Sequence, residues 1–329
     1  MLLSVIIISY NTRELMVQTL ESVLTEIHLS NTLKNTTEIF VVDNHSTDDS
    51  VAAISTLAKK NHSINLFRNT TNLGFAAANN QAIAQAKGKY IFLLNSDTIV
   101  HEGSLQKMVE AFEKRPIDES TSELFSQKER LDKLGVLAAN LLNKDGSLQP
   151  QGGSFPTLFS LASHMFFLDD LPMIGQYLPS TQHTGKSGRV LTERQTSNPQ
   201  QLDWIGGTAM MLRKQMLEEI GPLDQNIFMY GEDVELCMRA KKHHWDVAVL
   251  PSAKITHLGS ASSSAKNAII GEIKGYLYIW SKHKPLWQVP LAKLILSLGV
   301  QLRIMLFGLI LKDTAKADVY VTALKDVLR

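Results

Sequence analysis

One pattern restricts this chain more than any other. Short, continuously apolar runs at residues 4–9, 38–42, 64–67 and 90–94 alternate with amphipathic or alanine-rich stretches at 13–24, 49–60 and 74–86. Strict alternation of strand and helix predicts an α/β fold with a mostly parallel sheet and helices on both faces. Runs that are apolar at every position, rather than at every second one, predict strands buried on both sides. Ligands of such sheets bind outside the carboxyl ends of the strands. Three polar clusters stand there: Ser9-Tyr10-Asn11, Asp43-Asn44 and Asn95-Ser96-Asp97. Asp and Asn often end strands for conformational reasons alone, but three such clusters together predict a ligand site. A carboxylate after the second strand can accept a hydrogen bond from a pyrimidine imide. One after the fourth can hold a divalent cation against a diphosphate.

Composition narrows the class. The chain has 329 residues, 44% of them hydrophobic, which is ample for a globular core. A formal net charge of +1 gives no field toward nucleic acid, and no basic patch interleaved with aromatics is present, so no nucleic-acid partner is expected. The single cysteine, Cys237, excludes an internal disulfide and a cysteine zinc site. Sequons begin at Asn35, Asn44, Asn61 and Asn69. The one at Asn44 falls inside the expected nucleotide pocket, which argues against glycosylation. The apolar start lacks a basic flank and a cleavage site, and reads as a strand rather than a signal peptide.

A second constellation lies downstream. Asp203-Trp204-Ile205-Gly206-Gly207-Thr208 joins an aromatic to a glycine pair ahead of an apolar run. Glycines allow close backbone approach to a ligand, and Trp204 can stack on a sugar. A tight turn before a core strand is the simpler reading. In Tyr230-Gly231-Glu232-Asp233, two carboxylates open a helix whose Val234, Cys237 and Met238 are spaced to face inward. They can serve as a cap for the helix dipole, or one can take a proton from an acceptor hydroxyl. His257 is expected just past a strand at 247–250 and a turn at Pro251. Polar stretches at 115–133 and 175–201 read as a surface insertion and a loop. Gly185-Lys186-Ser187 lacks the first glycine of a phosphate loop, and the adjacent His243 and His244 make a poor metal pair.

Segments Ser4-Val5-Ile6-Ile7-Ile8-Ser9-Tyr10-Asn11, Val41-Val42-Asp43-Asn44-His45-Ser46-Thr47-Asp48, Asn72-Leu73-Gly74-Phe75 through Asn79-Asn80, and Leu93-Leu94-Asn95-Ser96-Asp97-Thr98 resemble the family 2 inverting glycosyltransferases, rhamnosyltransferase-like subfamily. The resemblance covers about residues 1–285. It implies a GT-A fold, a Rossmann-like, mostly parallel central sheet with helices on both faces, followed here by a C-terminal helical segment. It also implies a nucleoside diphosphate-sugar donor held by Ser9, Tyr10, Asn11, Asp43, Asn72, Gly74, Asn79, Asn95 and Ser96, with Asp43 reading the base. By the same resemblance Asp97 and His257 hold Mn²⁺ or Mg²⁺. Asp233 is the catalytic base with Glu232 beside it, and Trp204, Gly206 and Gly207 meet the acceptor. The family's Asp-x-Asp motif departs here, with Asn95 in place of the first acid, a variant that points toward the rhamnosyltransferase-like members. The implied reaction moves L-rhamnose from dTDP-rhamnose to a lipid-linked or polysaccharide acceptor in cell-surface glycan synthesis. A UDP-sugar donor is the alternative, and a non-catalytic sugar-nucleotide-binding or scaffold protein is the alternative of another class.

Three regions are expected: 1–133 for the nucleotide-sugar, 134–265 for acceptor and catalysis, and 266–329 for C-terminal helices. Residues 286–311 are strongly apolar yet carry Lys293 and Arg303, and Lys293, Ser297 and Gln301 form a polar stripe. Charges are rare inside a spanning helix, whereas an interfacial amphipathic helix keeps such a stripe wet. The expectation is a cytoplasmic protein held peripherally on the inner face of the cell membrane. A helix packed on the catalytic domain is the simpler reading. Ser260, Ser262 and Ser263 are a candidate lid, and the sequence leaves homo-oligomer formation open.

Overall fold

The computed structural model describes residues 1–113, 133–171, 173, 175–178, 199–259 and 265–328. Strand and helix alternate through β1 (Leu3–Ser9), α1 (Arg13–Leu29), β2 (Thr37–Asp43), α2 (Ser50–Lys60), β3 (Ile64–Arg68), α3 (Phe75–Ile83) and β4 (Tyr90–Asn95). After β5 (Thr98–Val100) and α4 (Ser104–Glu113) come β6 (Leu134–Leu142), β7 (Leu148–Gln149), β8 (Gly152–Gly153) and α5 (Leu158–Met165). Then follow β9 (Gln200–Gln201), β10 (Trp204–Ile205), β11 (Ala209–Arg213), α6 (Lys214–Ile220), α7 (Glu232–Lys242) and β12 (Asp246–His257). The chain closes with α8 (Ala265–His283), α9 (Gln288–Met305) and α10 (Thr314–Leu328). The expected insertion at 115–133 lies outside the described residues except for Lys133. So do residues 179–198 of the expected loop, with Gly185-Lys186-Ser187, and the candidate lid at Ser260, Ser262 and Ser263.

The main sheet has the order β3-β2-β1-β4-β11-β6-β12-β5, with β7 added on β6 and β9 on β12. The first four strands are parallel, and their register sets Ser9 beside Asp43 and Ile8 beside Asn95. The polar clusters therefore share one edge. Strand β11 is antiparallel to β4 and pairs Ala209 with Leu94, so the glycines before it arrive at that same edge. Strand β12 runs parallel to β6 and ends with His257 opposite Thr98 of β5. Crossovers thus gather residues distant in sequence along one rim.

Both faces of the sheet are buried, as the unbroken apolar runs predict. Val5 and Ile7 pack with Met16, Leu20 and Val23 of α1, while Ile6 packs with Ala76, Ala78 and Ala82 of α3 and with Leu236 and Cys237 of α7. Full burial of such side chains contributes about 1.5–3 kcal/mol each for the larger ones. A third core joins α5, α8, α9 and α10 around Trp280, Leu296, Val300 and Tyr320.

Two boundaries and one helix face differ from expectation for tertiary reasons. Helix α1 extends past residue 24 because buried Glu26 accepts the backbone N–H groups of Gly103 and Leu105 at 2.7 and 2.9 Å, joining α1 to the start of α4. Strand β12 continues through Pro251 to His257, its register shifting between Leu250 and Lys254. A bulge tolerates a proline that cannot donate to the ladder. In α7 the buried side chains are Glu232, Glu235, Leu236, Cys237 and Ala240, whereas Val234 and Met238 are only half-buried.

Candidate active site

At the carboxyl ends of β1 and β2, Asn11 ties the two strand ends together. Its side-chain oxygen accepts the Thr47 backbone N–H at 2.7 Å, and its own N–H donates to Ser46 at 3.0 Å. Asp43 is 2% exposed, and its Oδ2 accepts the Ser46 N–H at 3.1 Å. Its Oδ1 is buried without a partner. A buried acceptor left unpaired costs about 1–3 kcal/mol, so a ligand N–H would relieve it. Ser9 and Ser96 are buried and bridged through Thr12, while Tyr10 is exposed. Asn72 is engaged within the loop, accepting from Asn44 at 2.8 Å and from the Gly74 N–H at 2.9 Å. Gly74 has φ +82°, and a Cβ there would lie 2.5 Å from the Phe228 carbonyl oxygen, so glycine alone fits. Asn79 is 1% exposed and donates to Phe75 O within its own helix. Asn72 and Asn79 thus hydrogen-bond within the segment that opens α3, whereas Asp43 Oδ1 has no partner.

Asp97 sits on the turn between β4 and β5. Thr19 of α1 pins that turn: its hydroxyl lies 2.9 and 2.8 Å from the carbonyls of Ser96 and Thr98. The Leu258 N–H donates to Asp97 O at 2.8 Å, bringing in the end of β12. Asp97 is fully buried, yet neither carboxylate oxygen has a hydrogen-bond partner. His257 Nε2 lies 3.4 Å from Asp97 Oδ1. Burying a carboxylate without hydrogen bonds is costly unless a cation compensates it. The residues therefore fit a divalent ion. Among the described residues no cluster of three or more His, Cys, Asp or Glu forms a cation site. An ion here would draw its remaining ligands from diphosphate and water.

Glu232 and Asp233 line a cavity of about 340 Å³ together with Asn95, Trp204 and Gly207. The residues before α7 are held in an unusual backbone: Tyr230 has φ +73° and Gly231 φ +103°. A non-glycine residue there is strained and persists only where its surroundings hold it. Asp233 Oδ2 accepts the Gly207 N–H at 3.0 Å and Oδ1 accepts the Val234 N–H at 2.7 Å. Burial nevertheless raises the Asp233 pKa above the ordinary range, outweighing those two N–H groups. The Glu232 carboxyl, buried and beside the Asp233 charge, is pushed up to about 8. Burial therefore prevails over the helix terminus, and both carboxyls of the pair are raised, Glu232 further by the charge of its neighbour. Trp204 donates its ring N–H to Ser154 O at 2.9 Å, leaving the ring half-exposed on the cavity. Gly206 donates to Gln151 O at 2.7 Å.

Sequence reasoning missed the far wall. Ala268, Glu272, Gly275 and Tyr276 of α8 line the same cavity. A Cβ on Gly275 would lie 2.4 Å from Tyr230 O, so α8 packs directly under the strained turn. The polar pair Glu272 and Tyr276, four apart and so on one helix face, was the available signal. Glu235 was missed too. It is fully buried and takes Arg239, Lys282 and His283 at 2.8, 2.8 and 3.0 Å. Burial pushes its carboxyl up, but those three partners overcome it and hold it at about 2. This cluster fastens α8 to α7.

The sequence profile of glycosyl transferase family 2 matches residues 4–129. The N-acetylglucosaminyl-diphospho-decaprenol L-rhamnosyltransferase of Mycobacterium tuberculosis is 23% identical over 267 residues, spanning 77% of this chain and 78% of the relative. Among solved structures, GalNAc-T7 with UDP, GalNAc and Mn²⁺ superposes with a TM-score of 0.56 at 14% identity, covering 89% of this chain and 54% of that one. The mannosyltransferase PcManGT of Pyrobaculum calidifontis, in complex with GDP-Man and Mn²⁺, gives a TM-score of 0.51 at 14% identity, covering 99% and 86%. These two share the fold.

Proposed function

We propose that this chain, whose residues 4–129 match the glycosyl transferase family 2 profile, is a member of that family that transfers L-rhamnose from dTDP-rhamnose, with inversion, to a hydroxyl of a lipid-linked or polysaccharide acceptor. One observation carries the reading. A fully buried Asp97, with no hydrogen bond to either carboxylate oxygen and His257 at 3.4 Å, closely follows Asn95 of β4, and Asn95 lines one cavity together with an Asp233 whose basicity is raised by burial. Asp43 takes the base imide on its free Oδ1, with Ser9, Tyr10, Asn11, Asn95 and Ser96 around the nucleoside. Asp97 and His257 hold Mn²⁺ or Mg²⁺, which when bound neutralises charge on the departing diphosphate. Asp233 takes the proton from the acceptor oxygen as that oxygen attacks the anomeric carbon opposite the diphosphate. The carbon–oxygen bond to diphosphate breaks in the same displacement, so no covalent enzyme intermediate forms.

The rhamnose donor is supported by the motif Asn95-Ser96-Asp97 and by the similarity to the mycobacterial rhamnosyltransferase. A thermal-shift panel of nucleotide-sugars with Mn²⁺ checks it. A ligand at about 100 times its Kd stabilises by about 2.7 kcal/mol, which for a chain of this size is a shift of about 5 °C. The expected result is that dTDP-rhamnose gives the largest shift. Stabilisation by UDP-sugars alone would replace it with the alternative donor.

The acceptor reading extends to a membrane surface. Helix α9 packs Ala292, Leu296, Val300 and Arg303 inward, and the Arg303 guanidinium donates to carbonyls of Met165 and His164 at the end of α5. Its other side exposes Leu291, Leu294, Leu298, Leu302 and Met305, with Trp287 at the start. That stripe is apolar, and it lies beside the polar residues Lys293 and Ser297, half-buried, and Gln301, exposed. Residues 282–329 carry eight basic against three acidic side chains, which suits an anionic bilayer on the cytoplasmic side. In flotation with phosphatidylglycerol–phosphatidylethanolamine vesicles, the wild type should rise with the lipid. A Leu294→Glu, Leu298→Glu, Leu302→Glu variant should stay below. Equal flotation of the two would defeat the membrane role.

A further inference from the structure

The hairpin joining β6 to β7 carries a chain of polar side chains that ends on His257. Its links can be oriented one at a time, beginning from the group that can only accept. Asp145 is a carboxylate, so the Ser147 hydroxyl 2.6 Å from its Oδ1 must donate to it. Having spent its proton there, Ser147 Oγ accepts from Asn143, whose Nδ2 lies 2.9 Å away. That fixes the Asn143 amide, with Oδ1 toward Gln149 and 3.0 Å from Gln149 Nε2. The Gln149 amide is fixed in turn: Nε2 donates to Asn143, and Oε1 faces His257 Nδ1 at 2.7 Å. An amide oxygen only accepts, so His257 Nδ1 must carry the proton. In the neutral imidazole the lone pair then resides on Nε2, the atom that faces Asp97 Oδ1 at 3.4 Å.

We propose that Gln149 is a positioning residue that holds His257 in the Nδ1–H tautomer, so that Nε2 presents its lone pair toward a divalent cation shared with Asp97. The inference rests on the metal-ligand reading of His257. The geometry around it is local and stiff. Gln149 pairs with Leu141 across the hairpin. The turn closes through Asn143 and Ser147, which exchange a backbone bond of 2.8 Å, and Gly146 sits at φ +82°. The neighbour of a metal-binding imidazole sets which ring nitrogen is free, and loss of that neighbour typically weakens metal binding about 10- to 100-fold. The hairpin, in sequence only a Lys144-Asp145-Gly146 turn, thereby becomes part of the metal site's support.

Two measurements on the full chain test this. Long-range ¹H–¹⁵N correlation at pH 8, without metal, reports the His257 tautomer. Mn²⁺ titration followed by EPR, with dTDP and separately with UDP, reports affinity. The variants are Gln149→Leu, which cannot accept, Gln149→Glu, which still can, and His257→Ala. The wild type should show the Nδ1–H form. Gln149→Leu should lose that form and weaken Mn²⁺ binding about 10- to 100-fold, whereas Gln149→Glu should restore both. A wild-type ring protonated on Nε2 would overturn the proposal. So would a Gln149→Leu protein that binds Mn²⁺ as tightly as wild type while His257→Ala does not. If His257→Ala itself binds Mn²⁺ normally, the metal-ligand reading fails, and this inference fails with it.

Discussion

Asp97→Asn is expected to lower kcat for sugar transfer at least about a thousandfold while leaving the metal-free protein as stable as the wild type or more so. The two halves follow from one observation. Asp97 is fully buried and neither of its carboxylate oxygens has a hydrogen-bond partner. Stabilising charge on a departing group through a bound cation contributes several kcal/mol to a transition state, and each 1.4 or so is about tenfold in rate. Asparagine keeps the shape but removes the charge that would attract the cation. Without metal the same carboxylate is a cost, since replacing an uncompensated buried charge is neutral or stabilising. Steady-state transfer at saturating donor checks the first half, and thermal unfolding in chelator checks the second. Transfer within about tenfold of wild type would remove Asp97 from the metal role.

Asp233→Asn is expected to lower kcat by about 10²–10⁴, the usual contribution of a general base, with little change in donor affinity. Glu232→Gln should be far milder, because burial already keeps Glu232 protonated and the amide resembles that form. The pair also makes a stability prediction. Glu232 titrates near 4.5 in an ordinary setting and at about 8 in the fold. Between those values the folded chain holds a proton that the unfolded chain has released, so stability falls as pH rises through that window. Glu232→Gln removes the group. Its Tm relative to wild type should therefore climb from pH 5 to pH 8. A constant difference across that range would show that Glu232 is not held protonated, and equal transfer by Asp233→Asn would show that the base lies elsewhere.

Much of the nucleotide end was legible because its residues are local to strand ends. Asp43 and Asp97 each follow an unbroken apolar run, and strand alternation alone places such residues on one rim. The Asp233 position was legible only as a carboxylate pair at a helix start, with its basicity undecided. Burial decided it, and burial of a particular side chain depends on what packs above it. The polar stripe Lys293, Ser297 and Gln301 on α9 was legible as residues, and the fold leaves Gln301 exposed and the other two half-buried, but the face that meets the protein was not legible. Arg303 turns inward to carbonyls of α5, and the leucines face outward. Helical periodicity defines which residues share a face, but not which face meets the protein.

By itself the sequence determined the layered α/β class, the edge at which ligands gather, and the residue types that can hold a nucleotide, a cation and a proton. Periodicity and strand-end chemistry are short-range, and a chain carries them before it folds. Tertiary structure alone decided three other things. It brought His257 to Asp97 by pairing β12 with β5. It made α8 a wall of the cavity that Asp233 lines, through the Glu235 cluster and the contact of Gly275 with Tyr230. It aimed Gln149 of a small hairpin at the imidazole of His257. Each joins residues separated by tens to more than a hundred positions. Their meeting depends on strand order, register and solvent exclusion, which no local window of residues contains.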